Sequence, residues 1–508
     1  MHYLKDKKIL LLAPELENNE HRGIAAYTKA LIEALSDSGA EIWLTTSSNL
    51  KELKMRRLKE STKNYIYTTY ILKNFFYGTI DIDKANARYP LFRPLDNLIR
   101  KITDFIDEFA KFSKFIFSSN TYNERNSIKV RFLNKDDNPY LRVEKLSFMK
   151  NISGFVCLPN FGFLSDFISV LPVRQTIKVN LKSFDIFISS APLNLVSNQN
   201  IPIIQTIHDL IPLEYDPNVL AVRSFYKKLK FCRTTKNIFI SKITQYKFNN
   251  IFKSLDNKFK CDTSSAVIVQ PPSLFFDYKN IDIYNKMLRQ ISNKPKLQTY
   301  SKAEIKIWGK NYIKKKLKPK SLKPFNYFLF NASIDLRKNV LLTIESFINS
   351  DAQKKGYYLI ITGKLKDDNY SQEIKRLIEK NKGIITTGFV NESLKAALYL
   401  NALCLLSPTF IEGFGIPVLD ACCLGLKCFA SDCNSHKEIR ELYDFSNFLE
   451  IYPPKSITKW SRIFNDQSLL DISKSDKIVA DRINRYEKFN MTIKDKFKLD
   501  LSDLINNN

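Results

Sequence analysis

The sequence predicts an α/β protein built from two doubly wound parallel-sheet domains. Three observations lead there. Short apolar runs alternate with segments of helical period in both halves of the chain. One segment, 403–425, reads as a strand, a glycine turn and a helix in direct succession. The length, 508 residues, is too great for one core and suits two domains of roughly 200–250 residues.

In the first half, Lys8–Ala13 reads as a strand. Gly23–Leu35 is amphipathic, with Ile24, Tyr27, Leu31 and Leu35 on one stripe, and stops near Gly39. Glu41–Thr45 is the second strand. The alternation then lapses. Residues of about 51–150 are rich in Lys, Arg, Phe, Tyr and Asn and read as an insertion, with helix-like stretches at Leu53–Phe76 and Leu98–Phe117. Their basic and aromatic side chains suit a membrane surface or an acceptor; a helical cap is the plainer alternative. Strands resume at Phe184–Ser189, Ile201–Ile207, Asn237–Ile240 and Ala266–Gln270, and Pro271-Pro272 closes the domain, 1–275. Residues 276–323 read as a basic connector carrying Lys314-Lys315-Lys316 and a helix around Ala303–Lys316.

The second domain, 324–485, shows strict alternation. Strands fall at Tyr327–Asn331, Tyr357–Thr362, Gly383–Thr387, Leu403–Leu406 and Lys427–Ala430. Helices fit Asn339–Ser350, Ser371–Asn381, Ser393–Asn401 and Pro417–Leu424, the last with Pro in its first turn and Gly425 as its stop. The pattern from Ile457 to Leu504 is helical, and 486–508 forms a tail.

Composition narrows the class. Hydrophobic residues make up 44% of the chain, and no run approaches the ~18–20 apolar residues of a membrane span. The basic start Lys5–Lys8 leads into a short apolar run followed by Glu15 and Glu17, which reads as a first strand and not a signal peptide. The eight cysteines are scattered without Cys-x-x-Cys spacing, which suits packing in a reducing cytosol. The net charge of +27 admits three readings: an anionic membrane leaflet, nucleic acid, or the Lys-, Asn- and Ile-rich habit of AT-rich genomes. No recognised nucleic-acid motif accompanies the charge, so nucleic acid is not an expected partner.

The chemistry concentrates in a few segments. Glu412 precedes the turn Gly413-Phe414-Gly415, Ile416-Pro417 opens the helix, and Asp420 lies about two turns further on, roughly on the same face as Glu412. A helix start of this kind presents free N–H groups and partial positive charge to an anion. Read alone, it also admits an ordinary helix start with two solvated acids, the weaker alternative. Phe330–Asn339 leads from a strand into a helix through Ser333, Arg337 and Lys338; cations there oppose the helix dipole unless an anion is present. Ile203–Ile207 is an apolar strand ending in His208-Asp209, at the carboxyl end where parallel sheets bind ligands. Arg22-Gly23-Ile24-Ala25 follows the first strand. Asp81-Ile82-Asp83 has no strand ahead of it and reads as solvated acids rather than a metal site.

Together these segments resemble the retaining glycosyltransferases of family 4, which have the GT-B fold: two Rossmann-like domains facing across a cleft. The Glu412–Asp420 window resembles the family's Glu-(seven residues)-Glu signature, with Asp in place of the second Glu. Ile207–Leu213 resembles its His-Asp-Leu-x-Pro-Leu element, and Ala332–Asn339 its Gly-Thr-x-acid-x-Arg-Lys-Asn form, with Ser333 where some members place Arg. Gly23 matches the family's glycine loop, whose second glycine is Ala25 here.

The resemblance implies transfer of a hexosyl unit, mannosyl or rhamnosyl as the family-based guess, from a nucleotide sugar to a glycan or lipid-linked glycan, with retention. Cell-surface polysaccharide or lipopolysaccharide synthesis on the inner face of the plasma membrane, cytoplasmic or peripheral, is the implied setting. His208 would position the sugar, Lys338 and Arg337 would hold the diphosphate, and Glu412 would hold sugar hydroxyls. Gly23, Ser333, Gly413, Phe414, Gly415 and Ile416 would line the donor, and Asp420 would hold its ribose. No metal and no cofactor are expected, because cations and helix dipoles supply the positive charge. The departures at Ala25, Ser333 and Asp420 sustain a second reading, a catalytically weakened GT-B binding or scaffold subunit. A basic nucleic-acid binder is a third.

Overall fold

A computed structural model describes residues 3–18, 22–48, 50, 58–77, 121–124, 127–133, 135, 138–142, 144–159, 161–171, 175–197, 201–255, 265–276, 322–363, 365–366, 368–388, 390–471 and 476–507. The segments expected at Leu98–Phe117, Asp81–Asp83 and Ala303–Lys316 lie outside these residues, as do Glu20 and His21. Among the described residues no helix is long and apolar enough to cross a membrane.

The chain forms two compact units. The first comprises Met1–Ile240, Thr244–Val269 and Lys496–Asn508; the second comprises Ser241–Ile243 and Gln270–Asp495. The division therefore falls six residues before the 275 boundary, and the tail separates at 495 rather than 485.

The first unit is built on strands β1 (Lys8–Leu12), β2 (Glu41–Thr46), β4 (Ile128–Arg131), β5 (Gly154–Cys157), β7 (Ile186–Ser189), β9 (Ile203–Ile207), β10 (Lys236–Phe239) and β11 (Ala266–Val267). They run in the order β11-β10-β9-β7-β1-β2-β5-β4. The pairings are parallel apart from β4 with β5. A second, three-stranded sheet joins β3 (Thr121–Asn123), β6 (Ile177–Asn180) and β8 (Leu195–Val196). Buried runs such as Ile9–Leu12 and Ile186–Ile188 are apolar without alternation, as expected of strands covered on both faces. Helix α1 (Pro14–Asn18) follows β1 directly, and α2 (Arg22–Asp37) leads on to β2. Their successors in this unit are α3 (Glu60–Tyr77), α4 (Phe161–Val170), α5 (Ile211–Tyr215), α6 (Val219–Cys232) and α7 (Lys242–Leu255). The insertion expected over 51–150 contributes α3, β3 and β4 to the described structure.

The second unit is a six-stranded sheet of β12 (Tyr327–Asn331), β13 (Tyr358–Thr362), β14 (Ile384–Gly388), β15 (Leu405–Ser407), β16 (Cys428–Ser431) and β17 (Leu449–Tyr452). All pairings are parallel and the order is β14-β13-β12-β15-β16-β17. Helices α8 (Val340–Ile348), α9 (Asn369–Lys380), α10 (Glu392–Leu400), α11 (Ile416–Leu424) and α12 (Asn434–Leu442) connect them, followed by α13 (Ile457–Phe464), α14 (Gln467–Leu470) and α15 (Asp476–Asn506). Counted within the unit, the strand order is 3-2-1-4-5-6, the doubly wound order, and its direction reverses between β12 and β15. The α/β class and two mostly parallel, doubly wound units are thus present. Strand β17 and helix α12 were not anticipated, because Leu449-Glu450-Ile451-Tyr452 is a mixed edge strand and Asn434–Leu442 is a charged helix.

Candidate functional site

In open parallel sheets ligands bind beyond the strand carboxyl ends where the order reverses. In the second unit that point lies between the loop after β12, residues 332–339, and the loop after β15, residues 408–415. These loops carry Arg337 and Lys338 on one side and Glu412 to Gly415 on the other.

Backbone contacts hold the two loops together. Phe410 N–H donates to the Arg337 carbonyl at 2.8 Å. The Thr409 hydroxyl donates to the same carbonyl at 2.9 Å. Residues 336–338 form one 3-10 turn, and Asn339 ends it in the left-handed region, φ 55°. Its side-chain amide then donates to the Pro408 and Pro454 carbonyls at 3.1 and 2.7 Å. Asn tolerates this conformation better than most residues.

The charged side chains converge. Lys338 Nζ donates to both carboxylate oxygens of Glu412, 2.5 Å from Oε1. Arg337 approaches Glu412 Oε2 at 3.2 Å and Asp335 at 3.6 Å. The Lys338 and Glu412 side chains are only 9% and 12% exposed. Burial alone would raise the Glu412 carboxyl, but Lys338 and Arg337 outweigh it and hold it below the usual carboxylate range. Ser435 Oγ donates to the Glu412 carbonyl at 2.6 Å.

The turn that follows needs its glycine. Gly415 has φ 107° and forms the N-cap of α11. A Cβ there would lie 3.2 Å from His436 Cδ2 and 3.3 Å from Ile439 Cδ1. Phe414 is buried, and the amides of Phe414, Gly415 and Ile416 make no hydrogen bond among the described residues. Ser333 is exposed, with its hydroxyl donating to Asp335 at 2.8 Å.

Asp420 has partners other than the expected ribose. It is 2% exposed. Its Oδ1 accepts from Ser273 N–H at 2.6 Å and from Tyr486 OH at 3.3 Å, and its Oδ2 accepts from the Ser273 hydroxyl at 2.7 Å. Burial raises its carboxyl above the ordinary value, opposed by Lys395, Ser273 and Tyr486. These hydrogen bonds engage both carboxylate oxygens.

His208 and Gly23 belong to the first unit, where the order reverses between β1 and β7. His208 follows β9, and its Nε2–H donates to the Ser190 carbonyl just beyond β7, at 2.8 Å. A carbonyl only accepts, so Nε2 carries the proton. The Tyr27 ring meets the imidazole edge-on at 4.8 Å. Ser190 Oγ donates to buried Glu15 at 2.9 Å. Gly23 is exposed at the start of α2. Sequence reasoning missed Glu15, Ser190, Ser435 and His436. A carboxylate directly after β1 was the one available signal, and it was read only as a break in an apolar run.

Residues 311–464 match the model of the family described as glycosyl transferases group 1. No curated protein matches the chain in sequence. Among solved structures, HepE from Anabaena in complex with UDP-glucose is similar at 11% identity and TM-score 0.47, over 97% of this chain and 99% of that one. Sucrose-phosphate synthase from Thermosynechococcus elongatus is similar at 12% identity and TM-score 0.46, over 96% of each chain. A glycosyltransferase from Rickettsia africae is similar at 12% identity and TM-score 0.42, over 99% of each chain. At these scores the likenesses carry no argument of their own.

Proposed function

We propose that this protein is a metal-independent, retaining hexosyltransferase that uses a nucleotide sugar. The observation that carries the reading is the Lys338–Glu412–Arg337 cluster at the switch point of the second sheet, inside the segment that matches glycosyl transferases group 1. When a glycosidic bond to a diphosphate breaks, negative charge grows on the leaving phosphate. Lys338 and Arg337, with the amides of the Phe414–Ile416 turn, which make no hydrogen bond among the described residues, are donors suited to receive it. A diphosphate taking Lys338 and Arg337 frees Glu412 to accept from sugar hydroxyls, so one carboxylate serves the resting and the loaded site. Ser333 and Gly413 complete the donor surface of the second unit, and Asp420 is its candidate for the ribose. In this reading the acceptor is a glycan or lipid-linked glycan at an anionic membrane surface, which suits the net charge of +27. Mannosyl and rhamnosyl donors are the first to try.

The test is incubation with a panel of nucleotide sugars in the presence of a chelator. The reading expects release of nucleoside diphosphate from at least one donor, with unchanged rate in chelator and retained configuration at the anomeric carbon by NMR. Tight donor binding with no bond cleavage on any acceptor would favour the scaffold reading instead.

A further inference from the structure

One surface of the first unit is apolar at its tip and basic beside it. Residues 214–220 run from the end of α5 into the first turn of α6 and are all exposed. Within that run Val219 is 77% exposed, Leu220 55% and Tyr215 41%. The local chemistry holds them there. Asn218 caps α6, its Oδ1 accepting from Leu220 N–H at 3.0 Å and Ala221 N–H at 3.3 Å, so Val219 and Leu220 fall in the first turn. The helix buries a different side, Ser224, Leu229 and Cys232. On α7 Tyr246 is exposed too, and its neighbour Lys247 pairs with Glu214 of α5 at 2.7 Å, which ties α7 to this run.

The charges around the tip are one-sided. Residues 211–255 carry nine Lys or Arg against two carboxylates, Glu214 and Asp216. Glu214 is taken by Lys247, and Asp216 accepts from the Asn218 N–H at 2.9 Å. Arg223 and Lys230 are exposed and follow Val219 at i+4 and i+11, the spacing of one helical face. Lys253 is exposed and follows Tyr246 at i+7 on α7. Among the described residues these three cations make no ion pair. Burial and then the like charges of Arg223 and Lys230 lower the Lys227 ammonium below its ordinary value, so the face is not neutralised from within. An exposed apolar tip flanked by cations without carboxylate partners has the composition of an interfacial anchor. Its apolar side chains enter the acyl boundary while Lys and Arg stay at the headgroups. Charge complementarity selects an anionic lipid surface as the occupant.

We propose that the Tyr215–Leu220 tip, with Arg223, Lys230, Tyr246 and Lys253, docks the first unit on an anionic lipid leaflet. Val219 and Leu220 insert at the acyl boundary, Tyr215 and Tyr246 lie at headgroup level, and the cations meet the lipid phosphates. The inference rests on the membrane setting of the proposed function, which it locates on the molecule, and not on the donor chemistry. Two forces of different character then hold the unit to the surface. Salt screens the cations, whereas insertion of Val219 and Leu220 resists it.

The experiment sediments the full chain with vesicles of phosphatidylcholine alone and of equal parts phosphatidylcholine and phosphatidylglycerol. Binding should be confined to the anionic vesicles and weaken with salt. Val219→Ser with Leu220→Ser should lower the affinity about tenfold or more. Arg223→Gln with Lys230→Gln should lower it by a similar factor. Lys380→Gln with Lys455→Gln removes two exposed cations from the second unit. That pair should change the affinity by less than about threefold, which separates the face from the net charge of the chain. Leu220→Trp reports insertion directly, as a blue shift of emission on anionic vesicles relative to wild type, and serves if the Ser variant does not fold. No binding to anionic vesicles, equal losses from the two Gln pairs, unchanged binding by folded V219S/L220S, or L220W emission that ignores the vesicles overturns the inference. So does a wild-type oligomer that V219S/L220S dissociates, which would assign the face to a second copy of the chain. Donor cleavage is measured without vesicles, so failure of the docking face leaves the donor reading standing, and the converse holds.

Discussion

Replacing Lys338 with Ala gives the most informative single perturbation. The ammonium sits 2.5 Å from Glu412 Oε1 in a site where both side chains are mostly out of water. Unit charges about 4 Å apart interact by about 4 kcal/mol at an effective dielectric of about 20. Breaking a buried pair outright costs about 3–5 kcal/mol. Here Arg337 stays 3.2 Å from the same carboxylate and compensates part of the loss. The expected destabilisation is therefore about 1–3 kcal/mol, a fall of roughly 2–10 °C in melting temperature for a unit of this size. The loss in turnover should be larger, because the same cation stabilises the leaving phosphate. Removing one such group costs about 10²–10³ in kcat. The assay is nucleoside diphosphate release from the donor found in the panel, run beside a thermal melt. Folded protein with turnover within about threefold of wild type would refute the assignment, because losing such a donor costs far more.

Other substitutions probe the remaining geometry. Asp420→Asn should melt no lower than wild type at neutral pH, since it removes a buried charge while keeping an acceptor for Ser273 N–H; Asp420→Leu should lose about 1–3 kcal/mol by orphaning that amide. Turnover of Asp420→Asn near the wild-type level would confine Asp420 to holding the 273–274 segment, whereas a large fall with the fold intact would restore the ribose contact. Gly363→Ala should be severely destabilised, because Gly363 has φ 127° and a Cβ there would stand 2.1 Å from the Ala332 carbonyl; a normal melting curve would contradict the geometry. In acid the two buried carboxylates act with opposite signs. Glu412 has its folded value lowered from 4.5, so its stabilisation is lost as pH falls through that lower value. Asp420 has its folded value raised from 3.8, so its penalty is relieved as pH falls. Acid unfolding, followed by circular dichroism, should therefore be steeper in Asp420→Asn than in wild type, and an unchanged or shallower curve would contradict these shifts.

Much of this was legible in the sequence, and the reasons differ by region. The five strands read in the second half are present because each is a short apolar run bounded by turn residues, and four of the connecting helices carry the expected period. Gly415 and Gly425 were legible as turn and stop, and both adopt positive φ. In the first unit, β5 is only Gly154-Phe155-Val156-Cys157 and β4 pairs antiparallel to it, so neither rose above a polar background. Lys338 illustrates a different limit. Its burial follows from a partner 74 positions away, Glu412, which no local pattern announces. Asp420 and Ser273 lie 147 positions apart, and nothing local to either announces the pairing. His436 was invisible for the same reason: a lone histidine on a charged helix gives no sign that its ring lies under a glycine turn.

The central claim is that the loops after β12 and β15 bind the diphosphate of a nucleotide sugar. Thermal shift with a panel of nucleotide sugars, on wild type and on Lys338→Ala, tests it most directly, since a ligand that binds only the folded state raises the melting temperature by mass action. At least one nucleotide sugar should stabilise the wild type, and the shift should vanish in the variant. A panel without effect on the wild type, or an equal shift in both proteins, would contradict the account.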